Sequence, residues 1–362
     1  MKKSKTIWII IAGVLLAGGL MLLGVAFALT GGDLEKLSTE EKWVEKQYTA
    51  SAEDIHKIAA VEKNMRIVLE PSVDSNIHIT YFESDTETCQ IEETPDGTLE
   101  IQRQSSKKWY QRIGVMLLFG RGQNRRLEIA IPDGLACDIH AESTNGSITV
   151  GNLTVKGLLT LSTTNGKISA EALKTTADCT LTTTNAQILC KSLTAEGSLS
   201  ILTKNGRVDI TGCNSGEAMM IYTTNAAVNL EDIQAGGEVR VSTTNGSLTA
   251  EALQARALEA ETRNGRLTLT DTVTEESTYA ETTNSSLKIH RIKAGDNIHL
   301  QSSNGAVKGS IKGKLSDYSI TSKTSNAESN LPAHGGNGDK LLEVHTSNGD
   351  IDIEFIDPLS ES

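Results

Sequence analysis

An asparagine recurs on a fixed period through the carboxyl-terminal two thirds of the chain. It stands at Asn145, Asn165, Asn185, Asn205, Asn225, Asn245, Asn264, Asn284, Asn304, Asn326 and Asn348, with spacings of 20 five times, then 19, 20, 20, 22 and 22. A period near 20 is one coil of a solenoid, whose repeats cannot bury their apolar faces alone and must stack. The other columns follow the same register. Six residues before the Asn the column is mostly apolar (Ile139, Leu159, Cys179, Leu199), and two before it is all hydroxyl, from Ser143 and Thr163 to Thr324 and Thr346. Three after it come Ile148, Ile168, Ile188, Val208 and their counterparts. Positions −6, −4, −2 and 0 therefore share one face and +3 and +5 another, which is the alternation of two strands separated by a turn.

The predicted fold class is all-β: a parallel β-solenoid of about 20 residues per coil and about 11 coils. Right-handed coiling is expected from the crossover rule. This register places the Asn column inward, where side-chain amides can ladder from coil to coil, and lets the Thr column satisfy its hydroxyls in the same way. A feature made eleven times is structural before it is catalytic. The residue after Asn is Gly in seven coils, Ala in three and Ser in one, so this corner demands a small side chain and tolerates positive φ.

The flanks read differently. After Met1-Lys-Lys-Ser-Lys5 an uncharged run extends from Ile7 to Leu29. It would span about 35 Å as a helix, against a hydrocarbon thickness of about 30 Å. The expected layout is a cytoplasmic tail at 1–6, a transmembrane helix at 7–29, a spacer at 30–54, a β cap region at 55–136, the solenoid at 137–356 and a tail at 357–362. The lysines precede the run, so the amino terminus is expected in the cytoplasm and the remainder outside. The alternative is a secreted protein cleaved after Ala28, since Ala26-Phe27-Ala28 has the form of a cleavage site. In the cap region Ile67-Val-Leu69, Ile77 to Tyr81, Thr98 to Ile101 and Leu127 to Ile131 read as strands, punctuated by Pro71, Pro95-Asp-Gly97 and Pro132-Asp-Gly134.

Charge narrows the partners. Lys+Arg 34 against Asp+Glu 46 gives −12, which argues against a nucleic-acid partner. From Arg103 to Arg126, however, stand seven basic residues and no acid, around Trp109-Tyr110 and the apolar run Ile113 to Phe119. Lys107, Lys108, Trp109, Arg112, Arg121, Arg125 and Arg126 are therefore a candidate surface for anionic lipid or cell-wall polymer. The bland reading is a hairpin covering the solenoid end. An outward acidic patch, Glu259, Glu261, Tyr279, Glu281 and His299, is the one place where stacking gathers carboxylates, as a polysaccharide lyase or hydrolase would require. Its bland reading is a solvated face of an acidic protein. No His-Glu-x-x-His, Gly-x-Ser-x-Gly or Cys-x-x-Cys occurs, so no catalytic residue, metal ligand or cofactor is assigned. Cys89, Cys137, Cys179, Cys190 and Cys213 are odd in number and irregularly spaced, and those in inward columns read as small buried hydrophobes.

These features together carry a resemblance. The apolar amino-terminal run, then Ile129-Ala-Ile-Pro-Asp-Gly134, then Ser143-Thr-Asn-Gly-Ser-Ile-Thr-Val150 and its Thr-Thr-Asn-Gly copies, resemble the bacterial putative-adhesin family over about residues 43 to 356. That family is a β-strand-repeat domain of unknown function, found also in LiaG-type proteins of cell-envelope stress operons. The resemblance implies a membrane-anchored β-solenoid on the surface of a Gram-positive bacterium. The expected role is non-catalytic, in cell-surface interaction or envelope-stress response, with the membrane and possible envelope proteins as partners. A polysaccharide-active enzyme is the alternative.

Overall fold

A computed structural model describes residues 11–21, 24, 42–106 and 125–357. The chain divides into two compact units, one of Met1–Val44, Glu83–Thr88 and Ser105–Asn124, the other of Glu45–Phe82, Cys89–Gln104 and Arg125–Ser362. In the first, residues 11–21 are helical and expose Val14, Leu15, Leu16, Leu20 and Met21. Among the described residues no helix is long and apolar enough to cross a membrane.

The second unit is a solenoid with two parallel sheets. Each coil gives one strand to a leading sheet, turns at the Asn corner, and gives a second strand to a trailing sheet, as in Leu159–Thr163 followed by Ile168–Thr175. Coils stack residue on residue: Leu159 pairs with Cys179 and Thr163 with Thr183, while Ile168 pairs with Ile188. A one-residue slip would turn every apolar side chain outward, so the pattern holds the register. The core between the sheets is made of small aliphatics, including Leu161, Ile168, Ala170, Leu181 and Ile201, all essentially inaccessible.

A kink closes each coil. At seven residues past the Asn, φ is positive in eight successive coils: Asn152, Ala172, Ser192, Gly212, Asp232, Ala252, Asp271 and Arg291, between 47° and 63°. This left-handed residue breaks the alternation, leaving two neighbours outward in succession and bringing the next one, such as Leu153, Leu173 or Leu193, back into the core. By contrast, none of the small residues after the Asn lies among the positive-φ positions. Their size has another cause. A Cβ built on Gly166 would fall 1.9 Å from the carbonyl oxygen of Gly146 in the preceding coil, and one on Gly206 would fall 1.6 Å from that of Ala186. Close approach of coils, rather than backbone handedness, sets this column.

The described strands between 57 and 131 extend the solenoid and do not form the separate β cap expected for residues 55–136. Strands Lys57–Glu62 and Arg66–Pro71 make a coil of the same solenoid, with Ile58 on Ile139 and Ile67 on Ile148. Strands Thr98–Ser105 and Arg126–Ile131 add a further coil outside it, with Leu99 on Ile58 and Leu127 on Ile67. Only beyond that does pairing turn antiparallel, where Asn76–Glu83 lies on Arg126–Ile131.

The far end also departs from chain order. Strand Asn297–Ser302 pairs with Lys340–His345, and Tyr318–Lys323 stacks outside the latter. The chain thus steps outward, leaves a gap one coil thick, and returns to fill it. Along the edge strand Ile351–Ile356 the Asn330 side chain accepts from Ile353 N and donates to Ile353 O, both at 3.0 Å, as a paired strand would.

Candidate functional site

Three surfaces bear polar side chains in register: the Asn corner, the outward face of the leading sheet, and the return corner. At the first, each Asn Nδ2 donates to the Oδ1 of the coil before it. The order is Asn64, Asn145, Asn165, Asn185, Asn205, Asn225, Asn245, Asn264, Asn284, Asn304, Asn348, Asn326, and every bond is 2.6–2.8 Å. Two expectations are corrected here. The Asn column is exposed at the corner, not inward, and its last two rungs are exchanged relative to the sequence. A twelfth asparagine, Asn64, begins the ladder; it escaped the repeat because 81 residues separate it from Asn145.

The hydroxyl column, buried except for the half-buried Thr324, does not pair with itself. Thr163 Oγ1 donates to the Gly146 carbonyl of the preceding coil at 3.2 Å and accepts the N–H of its own coil's Gly166 at 3.1 Å. Gly146, Gly166, Gly206, Gly246, Gly265, Gly305 and Gly349, the residues after Asn in all seven Gly coils, donate this second bond at 2.9–3.2 Å. At the first coil a carboxylate, Glu62, replaces the hydroxyl, only 2% exposed. Arg103 meets it with Nη2–Oε1 at 2.7 Å and Nε–Oε1 at 3.0 Å, and its Nη1 donates to the Phe82 carbonyl at 2.6 Å.

On the leading sheet the register places Glu259, Tyr279, His299 and Glu343 in one file and Glu261, Glu281, Gln301 and His345 in the next. All five residues of the acidic patch therefore share one surface. Tyr279 stacks on His299 with ring centroids 4.8 Å apart and planes 6° from parallel, and its hydroxyl donates to Glu281. His299 Nδ1 lies 3.0 Å from Glu343 Oε2, and Arg240 Nε lies 2.6 Å from Glu259 Oε2. Burial, then the Glu259 and Glu281 charges, pushes the Glu261 carboxyl up. Burial and the bond to Glu281 raise the Tyr279 phenol, while burial and the neighbouring His299 lower His345. Glu261 and Glu281 border a depression of about 330 Å³ with Arg263, Ser242, Thr244 and Thr283. Most of these groups are held by one another. Such a surface presents a rigid, patterned face, with Met220 and Tyr222 beside Arg240.

The return corner carries a larger groove, about 540 Å³, along which Asn214, Gln234 and Gln254 follow one another in register over a floor that includes Gly216 and Gly236. The basic patch is the least described. Lys107, Lys108, Trp109, Arg112 and Arg121 lie outside the described residues. Arg126 is engaged by Glu128 at 2.6 Å, and Arg103, the first of the basic run, is buried on Glu62. Cys137, Cys179, Cys190 and Cys213 are buried thiols whose pKa burial raises, to about 12 for Cys137 and Cys179 and about 11 for Cys213. Among the described residues no group of three or more His, Cys, Asp or Glu is placed to hold a metal ion.

One further pair carries no signal in the repeat. Glu70 and Glu128 share a hydrogen bond on the outward face of the trailing sheet, and that bond, then burial, raises the Glu70 carboxyl to about 7.

The family model described as Toastrack DUF4097 matches residues 55–238 and again 217–354. No curated protein matches. Among solved structures, a putative cell adhesion protein from Clostridium sporogenes ATCC 15579 aligns over 87% of this chain and 100% of its own, at 10% identity and a TM-score of 0.21. A putative adhesin from Bacteroides fragilis NCTC 9343 aligns over 87% of this chain and 97% of its own, at 12% identity and a TM-score of 0.24.

Proposed function

The chain belongs to the Toastrack DUF4097 family, and from that premise we propose that it is a non-catalytic surface-interaction protein, held at the cell membrane by its amino-terminal run and exposing its solenoid outside. The observation that supports contact as the role is the leading-sheet face. Met220 and Tyr222 share one strand there, Arg240 stands on the next, and Tyr279 lies two strands further on, beyond Glu259; Tyr, Met and Arg are the side chains enriched at protein interfaces. A sheet stacked in register loses little entropy when a partner docks, because its side chains are already ordered by their neighbours. The anchor is supported by the uncharged run Ile7 to Leu29 and by the exposed apolar side chains of helix 11–21, which have no reason to face water.

The test is a binding assay with residues 33–362 against cell-wall polymers, anionic liposomes and purified envelope proteins, with turnover of any retained glycan followed in parallel. Saturable binding that weakens when Tyr222 and Arg240 are changed to Ser, without turnover, is expected. Glycan turnover lost on Glu261→Gln or Glu281→Gln would establish the enzyme instead. Binding to anionic liposomes that depends on Lys107, Lys108 and Arg112 would assign the partner to the basic segment. For the anchor, the full chain should remain with membranes after alkaline washing, and deletion of residues 1–29 should release it.

A further inference from the structure

We infer that the buried hydroxyl column chemically protects the asparagine ladder: it holds the backbone nitrogen that would otherwise convert ladder Asn into Asp, at the seven ladder positions where Gly follows Asn.

The chemistry is general. The backbone nitrogen of the following residue loses its proton and attacks the Asn Cγ. The Cγ–Nδ2 bond breaks and ammonia leaves, carrying that proton. The resulting succinimide takes up one water and opens to aspartate or isoaspartate. Glycine obstructs this attack least, since it has no Cβ and the widest backbone freedom. A chain with Asn145-Gly146, Asn165-Gly166, Asn205-Gly206, Asn245-Gly246, Asn264-Gly265, Asn304-Gly305 and Asn348-Gly349 on an exposed corner is built from the most labile sequence of its kind. The close approach of coils nevertheless demands the smallest residue there, as the 1.6–2.2 Å Cβ clashes at Gly146, Gly166, Gly206, Gly246, Gly265, Gly305 and Gly349 show.

The geometry answers the hazard position by position. In all seven Gly coils the N–H that must be given up donates to the −2 hydroxyl at 2.9–3.2 Å. The Asn side chain is meanwhile fixed by the rung it donates at 2.7–2.8 Å, which keeps the Cγ from swinging toward that nitrogen. In the coils of Ala186, Ala226, Ser285 and Ala327 no such amide bond is formed among the described residues, and there the following residue carries a Cβ that hinders the attack. Every coil thus has one safeguard or the other. The consequence for the ladder is direct: an aspartate rung still accepts from the next coil but cannot donate to the last, and two oxygens then face each other.

The experiment incubates the folded, full-length protein at mildly alkaline pH and follows each rung by peptide mass spectrometry. Thr243→Val removes the acceptor for Gly246 N–H, and Thr243→Ser restores it. Thr223→Val removes a hydroxyl from the Ala226 coil, where no amide bond is lost, and so controls for loosening. Deamidation at Asn245 should rise about ten-fold in Thr243→Val, matching the loss of one ordinary hydrogen bond, and return to the wild-type rate in Thr243→Ser. Asn205 should stay slow in Thr223→Val. The proposal fails if Asn245 in folded Thr243→Val is as slow as Asn165 in the same molecule, or if Thr223→Val accelerates Asn205 equally. It fails too if wild-type Asn-Gly rungs react as fast folded as unfolded.

Discussion

At the residue scale the molecule repeatedly answers one question, which is what a buried polar atom touches. The hydroxyl column shows the ordinary answer, each Thr or Ser bonded to backbone. Glu62 shows the exceptional one. It occupies the hydroxyl position of its coil, yet a carboxylate cannot donate to a carbonyl, so Arg103 from the next coil out supplies three short contacts to carboxylate and backbone. Both side chains are nearly inaccessible. Removing one partner of such a pair leaves the other charge desolvated, so Arg103→Leu should cost about 3–5 kcal/mol. A chemical-denaturation midpoint that moves as little as for an exposed Arg→Leu control would contradict this. Neither residue stands out in the sequence: Glu62 belongs to no recognisable copy of the repeat, and Arg103 reads as the first member of a basic surface run.

At the scale of the element, the strands owe their pairing to columns rather than to single contacts. The Asn ladder aligns twelve side-chain amides in one direction, and each is polarised by its neighbours. Asn205→Leu interrupts it between Asn185 and Asn225, leaving one acceptor and one donor without their partners. Because the corner is exposed, water recovers part of the loss, and a destabilisation of about 1 kcal/mol is expected by thermal unfolding. An unchanged melting temperature would show that the ladder follows the stacking without contributing to it. A second element carries a pH signature. Glu70 on strand Arg66–Pro71 has its carboxyl raised to about 7 by its bond to Glu128, so the folded chain keeps a proton that the unfolded chain releases above the ordinary carboxylate range. Stability from this group is present at low pH and lost as pH climbs from about 4.5 to about 7. Glu70→Gln should flatten the pH dependence of unfolding across that window, and a profile of unchanged slope would refute the shared proton.

For the solenoid as a whole, the consequential feature is the order of its coils. At both ends the chain places a later coil and an earlier one in exchanged positions, so the terminal coil is tied to the body by chain on both sides of it. Ser347 N donates to Ser303 O at 3.1 Å, whereas chain order would have put Ser325 there. Cysteines introduced at 303 and 347 should therefore join through a short thiol crosslinker and those at 303 and 325 should not, read by mass spectrometry of the digested product. The reverse pattern would restore sequential stacking. In repeat architectures ends fray first, because a terminal coil has one neighbour instead of two, and the exchange makes fraying of the outermost coil leave the last strand still paired.

Much of this was legible in the chain itself. A 20-residue period, a hydroxyl column and inward Ile, Leu and Val at fixed offsets determine a parallel stacked sheet, because only one register buries all of them together. The same register, read from the repeat alone, places Glu259, Glu261, Tyr279, Glu281 and His299 on one face. What the repeat could not say was which atoms each column would meet. Whether Asn faces in or out depends on how sharply the corner turns, and that depends on how closely Gly146 and its successors approach the carbonyl of the coil below. The kink at Ala172 or Ala252 left only a faint trace, an apolar residue at +8 that spoils the alternation, since several residue types accept positive φ when packing compels it. Asn64, Arg103 and the exchanged terminal coils escaped because their partners lie 81, 41 and 44 residues away along the chain, at distances set by inserted segments. Local periodicity determined the coil; stacking in three dimensions alone decided which coils are neighbours and which buried charges meet.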